Sequence, residues 1–382
     1  MTRARNGSKA PALDLDAVAL DPVTRIIVCC GSGGVGKTTA AAAIALRAAE
    51  AGRSVVVLTI DPARRLAQSM GLTQLDNTPR AVAGVDPAKG GELDAMMLDM
   101  KRTFDEIVSA HSTPERAEQI LANPFYQSLS SSFAGTQEYM AMEKLSQLRA
   151  LDEWELIVVD TPPSRSALDF LDAPKRLGRF LDGRMLRLLL TPARTGGRAY
   201  FKVVSASFGL FTRVLTRIIG TEVLRDLSAF VGALETMFGG FRERAQKTYE
   251  LLKTPGTAFV VVASPEPDAL REASYFVERL SAESMPLAGM VLNRMRSSVA
   301  PMLSAERAEV AADALDEAGG HGLTAAVLRV HAARARLAAR DRRMRDRFTS
   351  AHPDVPIVEV PAMSTDVHDL DSLRRVGAAL AN

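Results

Sequence analysis

The chain has 382 residues, enough for one large α/β domain with insertions and too many for a single small core. Its 47 basic and 45 acidic residues leave a formal charge of +2, so no bulk electrostatic argument points to nucleic acid or an anionic membrane as partner. The only two cysteines, Cys29 and Cys30, are adjacent, which argues against a structural disulfide and for a reducing compartment; the cytoplasm is the expected location.

Residues 1–21 begin basic, lack the uninterrupted apolar run of a secretory signal, and read as a flexible or loosely docked extension. The first β-rich run, residues 25–30 (RIIVCC), leads directly into GSGGVGKT, Gly31 to Thr38, and then into helical spacing over 38–51, stopped by Gly52. The octapeptide satisfies G-x-x-x-x-G-K-[ST] between a strand and a helix, the context in which backbone N–H groups converge on phosphate oxygens. Gly33, Gly34, Val35, Gly36, Lys37, Thr38 and Thr39 form the expected ATP-binding set. Lys37 is placed to reach the β- and γ-phosphates, and Thr38 to ligate Mg²⁺ through its hydroxyl. The plainer alternative, a glycine-rich turn with an incidental lysine, does not account for motif, strand and helix coinciding.

Further apolar runs follow at 54–60, 95–98 and 155–159, with a helical stretch at 136–149. Asp61 closes the run VVVLTI and Asp160 closes ELIVV. Ligands of open α/β sheets bind beyond the carboxyl ends of the strands, so both aspartates point to the edge that carries the phosphate loop. Each alone could be a helix N-cap. Taken with Lys37 and Thr38, they favour the functional reading, with Asp160 in the usual position of an acidic group near Mg²⁺ and Thr38, Asp61 and Asp160 forming the expected metal set.

Residues 174–253 are helical in pattern, and within them Phe211, Val214, Leu215, Ile218 and Ile219 recur at helical spacing. This stripe is either packing against the body or a groove for an apolar client helix. The stretch 203–220 carries Arg213 and Arg217 and does not read as a membrane span. Strand runs at 258–262, 287–292 and 356–360 alternate with helical spacing at 268–281 and 366–381; residues 297–350 are Ala- and Arg-rich, helical, and interrupted at Gly319-Gly320. His111, His321, His331, His352 and His368 are scattered without metal-ligand spacing. The alternation predicts an α/β fold: a mostly parallel P-loop NTPase sheet with helices on both faces, residues 22–382 forming one ATPase domain with helical insertions at 174–253 and 297–350.

The phosphate loop GSGGVGKTT, the segment Asp61-Pro62-Ala63 and the segment Asp160-Thr161-Pro162-Pro163 resemble the arsenite-pump and guided-entry (tail-anchored protein targeting) ATPase family of the deviant-Walker group, in its bacterial branch of anion-transporting ATPases. SPEPDALREA, residues 287–293 and Val360-Pro361 extend the likeness to the C-terminus. The resemblance implies a dimer in which Asp61 polarises the attacking water, Asp160 senses Mg²⁺, Asn293 reads adenine and Pro361 flanks the base. Without it, Asn293 is a strand-end turn residue. The chain also departs from the family pattern. Ser32 stands where the family carries the lysine that crosses to the partner's nucleotide; Arg64-Arg65 and Ser164-Arg165-Ser166 alter the two switches; and the zinc-binding cysteine pair and three-thiol arsenite site are missing.

These features favour a nucleotide-gated dimeric ATPase that opens and closes a helical surface for a protein partner, and not an arsenite pump. A nucleotide-binding regulatory or scaffolding subunit with little hydrolysis is the alternative that Ser32 keeps open. A membrane-cycling partition ATPase and a metabolic kinase fit less well, because the C-terminal helix lacks a basic membrane tip and the aspartate segments match switches. For the missing lysine, either Arg64, Arg65 or Arg165 substitutes, or a related subunit retaining GKGG supplies it in a heterodimer; the second is favoured.

Overall fold

Apolar runs with no polar face can be satisfied only between two layers of covering structure. Such runs form β1 (Ile26–Cys30), β5 (Leu156–Asp160) and β6 (Thr257–Ala263), each buried at every position. They stand together at the centre of an eight-stranded sheet of order β3-β4-β2-β5-β1-β6-β7-β8. The computed structural model describes residues 11–61, 65–124, 126–127, 136–162, 243–244 and 246–381. β2 (Ser54–Thr59), β4 (Glu92–Met97), β7 (Leu287–Met295) and β8 (Ile357–Pro361) run parallel to their neighbours; the two-residue edge strand β3 (Arg80–Ala81) is antiparallel. The expected mostly parallel α/β sheet is therefore observed. β4 begins at Glu92, ahead of the expected residue 95, and β3 is too short and exposed to leave an apolar signature.

The chain divides into two compact units, one comprising Met1–Met97, Leu148–Leu168 and Leu251–Asn382, the other Leu98–Gln147 and Asp169–Glu250. The first carries the sheet. Its helix α2 (Lys37–Glu50) buries an alanine-rich face, and small side chains let the helix lie close on the strands. The C-terminal helix (Leu370–Leu380) starts later than the expected residue 366 because Asp369 and Ser372 close a capping box there. The predicted break at Gly319-Gly320 separates two helices, Ala305–Ala318 and Gly322–Ala351, and both glycines take positive φ. In the second unit, Tyr126 donates to Asp105 at 2.5 Å and stacks edge-on with Phe104, while Arg244 grips the buried Glu143 at 2.8 and 3.0 Å. This unit joins Leu98–Gln147, read from the sequence as part of the ATPase body, with most of the 174–253 insertion. Residues 174–242, including the apolar stripe, lie outside the described residues.

Of the N-terminal extension expected over residues 1–21, residues 11–21 are described. Ala12 bridges to Ile357 beside β8, Leu13 and Leu15 are buried, and α1 (Leu15–Ala19) places Asp16 against Arg47. Arg53, itself buried, gathers this segment by donating to the carbonyls of Ala19 (2.6 Å), Asp21 (3.2 Å), Thr24 (2.9 Å) and Glu155 (2.8 Å). Losing a charged donor strands several buried acceptors at once. Arg53→Met should therefore lower stability by about 3 kcal/mol, read as a reduced urea midpoint at unchanged slope; a midpoint equal to wild type would mean that Arg53 merely decorates the segment.

Candidate nucleotide site

The turn from β1 into α2 is tight because two glycines permit it. A Cβ on Gly31 would lie 2.1 Å from the Val262 carbonyl oxygen at the end of β6, and one on Gly36 would lie 2.3 Å from the Asn293 amide nitrogen, at a φ of 96° that a larger residue would adopt only under strain. Lys37, the first residue of α2, is 5% exposed, and its ammonium donates to the Ser32 carbonyl at 2.7 Å. Burial lowers the lysine pKa, opposed by the negative charges of Asp160 and Asp61. The cation is thus held in the cradle of the loop, curled over by the loop's own backbone.

Asp160 ends β5 between β1 and β2, fully buried. Its Oδ2 accepts from the Thr38 hydroxyl at 2.7 Å and from the Thr59 hydroxyl at 2.9 Å. Burial raises its pKa to about 6, while those two hydroxyls and Lys37 pull in the other direction. The Thr59 oxygen in turn accepts from the Asp61 backbone N–H at 3.2 Å, so the half-buried Asp61 is tied to Asp160 through one threonine. Thr59 was missed in the sequence; its only signal is a lone polar residue within VVVLTI.

Asn293 also lies here, though not as a plain strand end. β7 continues past it to Met295, with a register shift against β8 between Leu292 and Met295. Arg294 within that bulge takes φ 61°, a left-handed conformation uncommon outside glycine. The Asn293 amide donates to the Val35 carbonyl of the phosphate loop at 2.9 Å, and its oxygen accepts from the Arg294 N–H at 2.9 Å. The side chain expected to offer a free donor and acceptor therefore already clasps the loop, with one N–H and one lone pair remaining. Pro361, opposite Met295 at the end of β8, is exposed. Gly33 and Gly34 are exposed at the loop crest, Val35 is buried, and Thr39 is half-buried on α2. Arg65 is exposed at the start of a short helix, whereas Arg64 and Arg165 lie outside the described residues.

Does the site suit a divalent cation? The Asp160 Oδ1 is buried without a hydrogen-bond partner, an uncompensated acceptor beside the Thr38 hydroxyl. Among the described residues no group of three or more His, Cys, Asp or Glu side chains could hold a metal alone. One carboxylate and one hydroxyl next to a phosphate cradle is the donor set Mg²⁺ uses when substrate oxygens complete its shell. The residues fit.

A buried lysine under a glycine loop, with carboxylates at the ends of neighbouring parallel strands, is the arrangement of a P-loop nucleoside triphosphatase fold. Residues 24–302 match the family described as anion-transporting ATPase, and the chain belongs to that family. It is 26% identical over 270 residues to ATPase get3 of Schizosaccharomyces pombe, covering 69% of this chain and 71% of that protein. It is also 26% identical over 268 residues to ATPase GET3 of Podospora anserina, with 69% and 71% covered, and 25% identical over 286 residues to ATPase get3 of Aspergillus terreus, with 74% and 76% covered. Among the described residues no helix is long and apolar enough to cross a membrane.

The folded pKa of Asp160, about 6, stands above its ordinary value of 3.8. This group accordingly supports folding fully below about pH 4 and withdraws that support as pH rises through 6, the reverse of a salt-bridged aspartate. The gap corresponds to about 3 kcal/mol at most. In nucleotide-free protein, urea unfolding should show Asp160→Asn gaining about 2–3 kcal/mol relative to wild type between pH 4 and pH 7. A difference that stays constant over that range would mean the carboxylate ionises normally.

Proposed function

We propose that this protein binds and hydrolyses ATP at the β1–α2 loop, and that the cycle gates a surface for a protein partner. The observation supporting this most directly is the linkage Thr38–Asp160–Thr59–Asp61 beside the buried Lys37. In this reading Gly33, Gly34, Val35 and Gly36 present their N–H groups to the phosphates, with Thr38 and Thr39 at the helix N-terminus behind them. Lys37 exchanges its Ser32 carbonyl for phosphate oxygens and places its charge on the β- and γ-groups. Thr38 and Asp160 hold Mg²⁺, which when bound neutralises charge on those oxygens. Asp61 orients and polarises the attacking water. Asn293 keeps its hold on Val35 and turns its remaining donor and acceptor to adenine, with Pro361 flanking the base. Phosphoryl transfer needs no covalent intermediate, only charge and positioning.

Asp61→Asn should keep ATP affinity within about threefold and slow turnover by about 10², whereas Lys37→Ala should lose both. These are measured by fluorescent-nucleotide binding and phosphate release. Wild-type turnover in Lys37→Ala, or loss of binding in Asp61→Asn, would sink the assignment.

Arsenite is not part of this reading. Both thiols are buried in β1, and burial raises the Cys29 pKa well above its ordinary value and that of Cys30 to about 12, so neither is poised as the thiolate that arsenite or zinc ligation requires.

Ser32 sets the assembly we favour: a cytoplasmic heterodimer whose related subunit carries GKGG and lends its lysine to the nucleotide held here. The isolated chain should then turn over slowly and gain about tenfold or more on adding such a subunit. Full activity from a light-scattering homodimer, lost in Arg165→Ala, would instead make an arginine of this chain the trans cation. Constant slow turnover under both conditions supports a regulatory, weakly hydrolysing subunit.

A further inference from the structure

β2 is apolar from Val55 to Leu58 and ends on Thr59, which is 1% exposed. A buried strand position of this kind suits valine, which has nearly the same shape and no hydroxyl to satisfy. A threonine there needs partners for its oxygen. Its hydroxyl donates to Asp160 Oδ2 at 2.9 Å, and its oxygen accepts from the Asp61 backbone N–H at 3.2 Å. The Asp61 carbonyl, at 3.4 Å, is a second acceptor within reach of the same hydroxyl. A hydroxyl carries one proton, so the nearer carboxylate takes it and a lone pair is left for the Asp61 N–H.

Solvating the buried carboxylate does not by itself explain this placement. Asp160 Oδ2 already accepts from Thr38 at 2.7 Å, while Oδ1 is buried without a partner. A hydroxyl present only to offset burial would be of more use on the vacant oxygen. The placement instead matches the point where β2 leaves the sheet. Thr59 stands level with Asp160, and the Ile60 N–H donates to the Asp160 carbonyl at 2.9 Å, just past the last paired residue of β2. Asp61 follows directly, so the Thr59 side chain carries the hold of β5 one residue further than the ladder reaches. The charge of Asp61 is felt at Lys37, which puts the residue held in this way beside the phosphate loop. A hydroxyl that donates to a carboxylate is polarised into a better acceptor, which tightens its hold on the Asp61 N–H.

We propose that Thr59 is a positioning residue for hydrolysis: anchored on Asp160, it fixes the backbone of Asp61 and through it the direction of the Asp61 carboxylate. The inference rests on the reading of Asp61 as the acid that handles the attacking water. Thr59 itself makes no bond to substrate. Its loss should leave nucleotide binding, which Lys37 and the loop N–H groups supply, and remove the rate that a misplaced Asp61 forfeits. Thr38 keeps its own bond to Asp160, so the pair expected to hold Mg²⁺ stays intact.

Thr59→Val removes the hydroxyl at nearly constant shape, and Thr59→Ser keeps it. Thr59→Cys, whose thiol donates and accepts only weakly, is a second loss variant that carries the test if Thr59→Val does not fold. Circular dichroism and melting temperature identify the folded variants, and rates are counted per nucleotide-binding site. In Thr59→Val, kcat should fall about tenfold or more with ATP affinity within about threefold of wild type. Thr59→Ser should stay within about threefold in both, and Thr59→Cys should fall between the two. Two further measurements separate positioning from support of the fold. Adding Thr59→Val to Asp61→Asn should cost no further rate, because the group it positions is already gone. In nucleotide-free protein, the Asp61 amide should exchange hydrogen about tenfold faster in Thr59→Val than in wild type or Thr59→Ser. The inference is overturned by wild-type turnover in either folded loss variant, by additive loss in the double variant, by unchanged Asp61 exchange, or by a Thr59→Ser as slow as Thr59→Val. Wild-type turnover in Asp61→Asn would overturn the reading of Asp61 and this inference with it. An impaired Asp61→Asn beside an unimpaired Thr59→Val would overturn the role of Thr59 alone.

Discussion

A carboxylate buried at the centre of a sheet is the constraint on which this site depends. Asp160 is fully buried, and taking a charge out of water carries a penalty that hydrogen bonds must offset. Here two hydroxyls, from α2 and from β2, converge on one oxygen and leave the other unmatched. That arrangement requires β5 to lie between β1 and β2, and it requires register. Asp160 stands level with Cys29 on one side and Thr59 on the other. A slip by one residue would turn its side chain to the opposite face, away from both threonines. Thr161 fixes that register by donating its hydroxyl to the Cys29 carbonyl at 2.8 Å.

The same geometry explains why some of the site could be read from the chain and some could not. The phosphate loop is contiguous, and its chemistry follows from residue types at fixed spacing, so Lys37 and Thr38 were legible directly. The central strands were legible because burial on both faces removes polar alternation. Thr59 was not, since its role arises only when β2 is hydrogen-bonded to β5, strands far apart in sequence. The family resemblance drew attention to Asn293, but its clasp on Val35 was not legible, because the bulge that aims it is a relation between β7 and β8 and leaves no pattern along either. The docking of residues 11–21 was not legible for a related reason. Leu13 and Leu15 resemble any sparse apolar pair until the edge of β8 and the Arg53 guanidinium supply partners.

The end of β7 serves two structures within four residues. Asn293 holds the phosphate loop; Arg296 holds the helix Gly322–Ala351 through its backbone N–H at 3.1 Å and its guanidinium at 3.2 Å, both on the buried Asp341. Between them Arg294 takes a conformation that costs about 1 kcal/mol or more and persists only where its surroundings impose it. Hydrogen bonds on both flanks impose it here, so this segment is a stiff bridge rather than a hinge. If Asn293 shifts when the loop closes on phosphate, the bulge offers little slack in which the movement could dissipate before Arg296. Separating the buried Asp341 carboxylate from Arg296 would strand a buried charge. Asn293 and Arg296 thus tie the phosphate loop and the helix Gly322–Ala351 to the same short stretch at the end of β7.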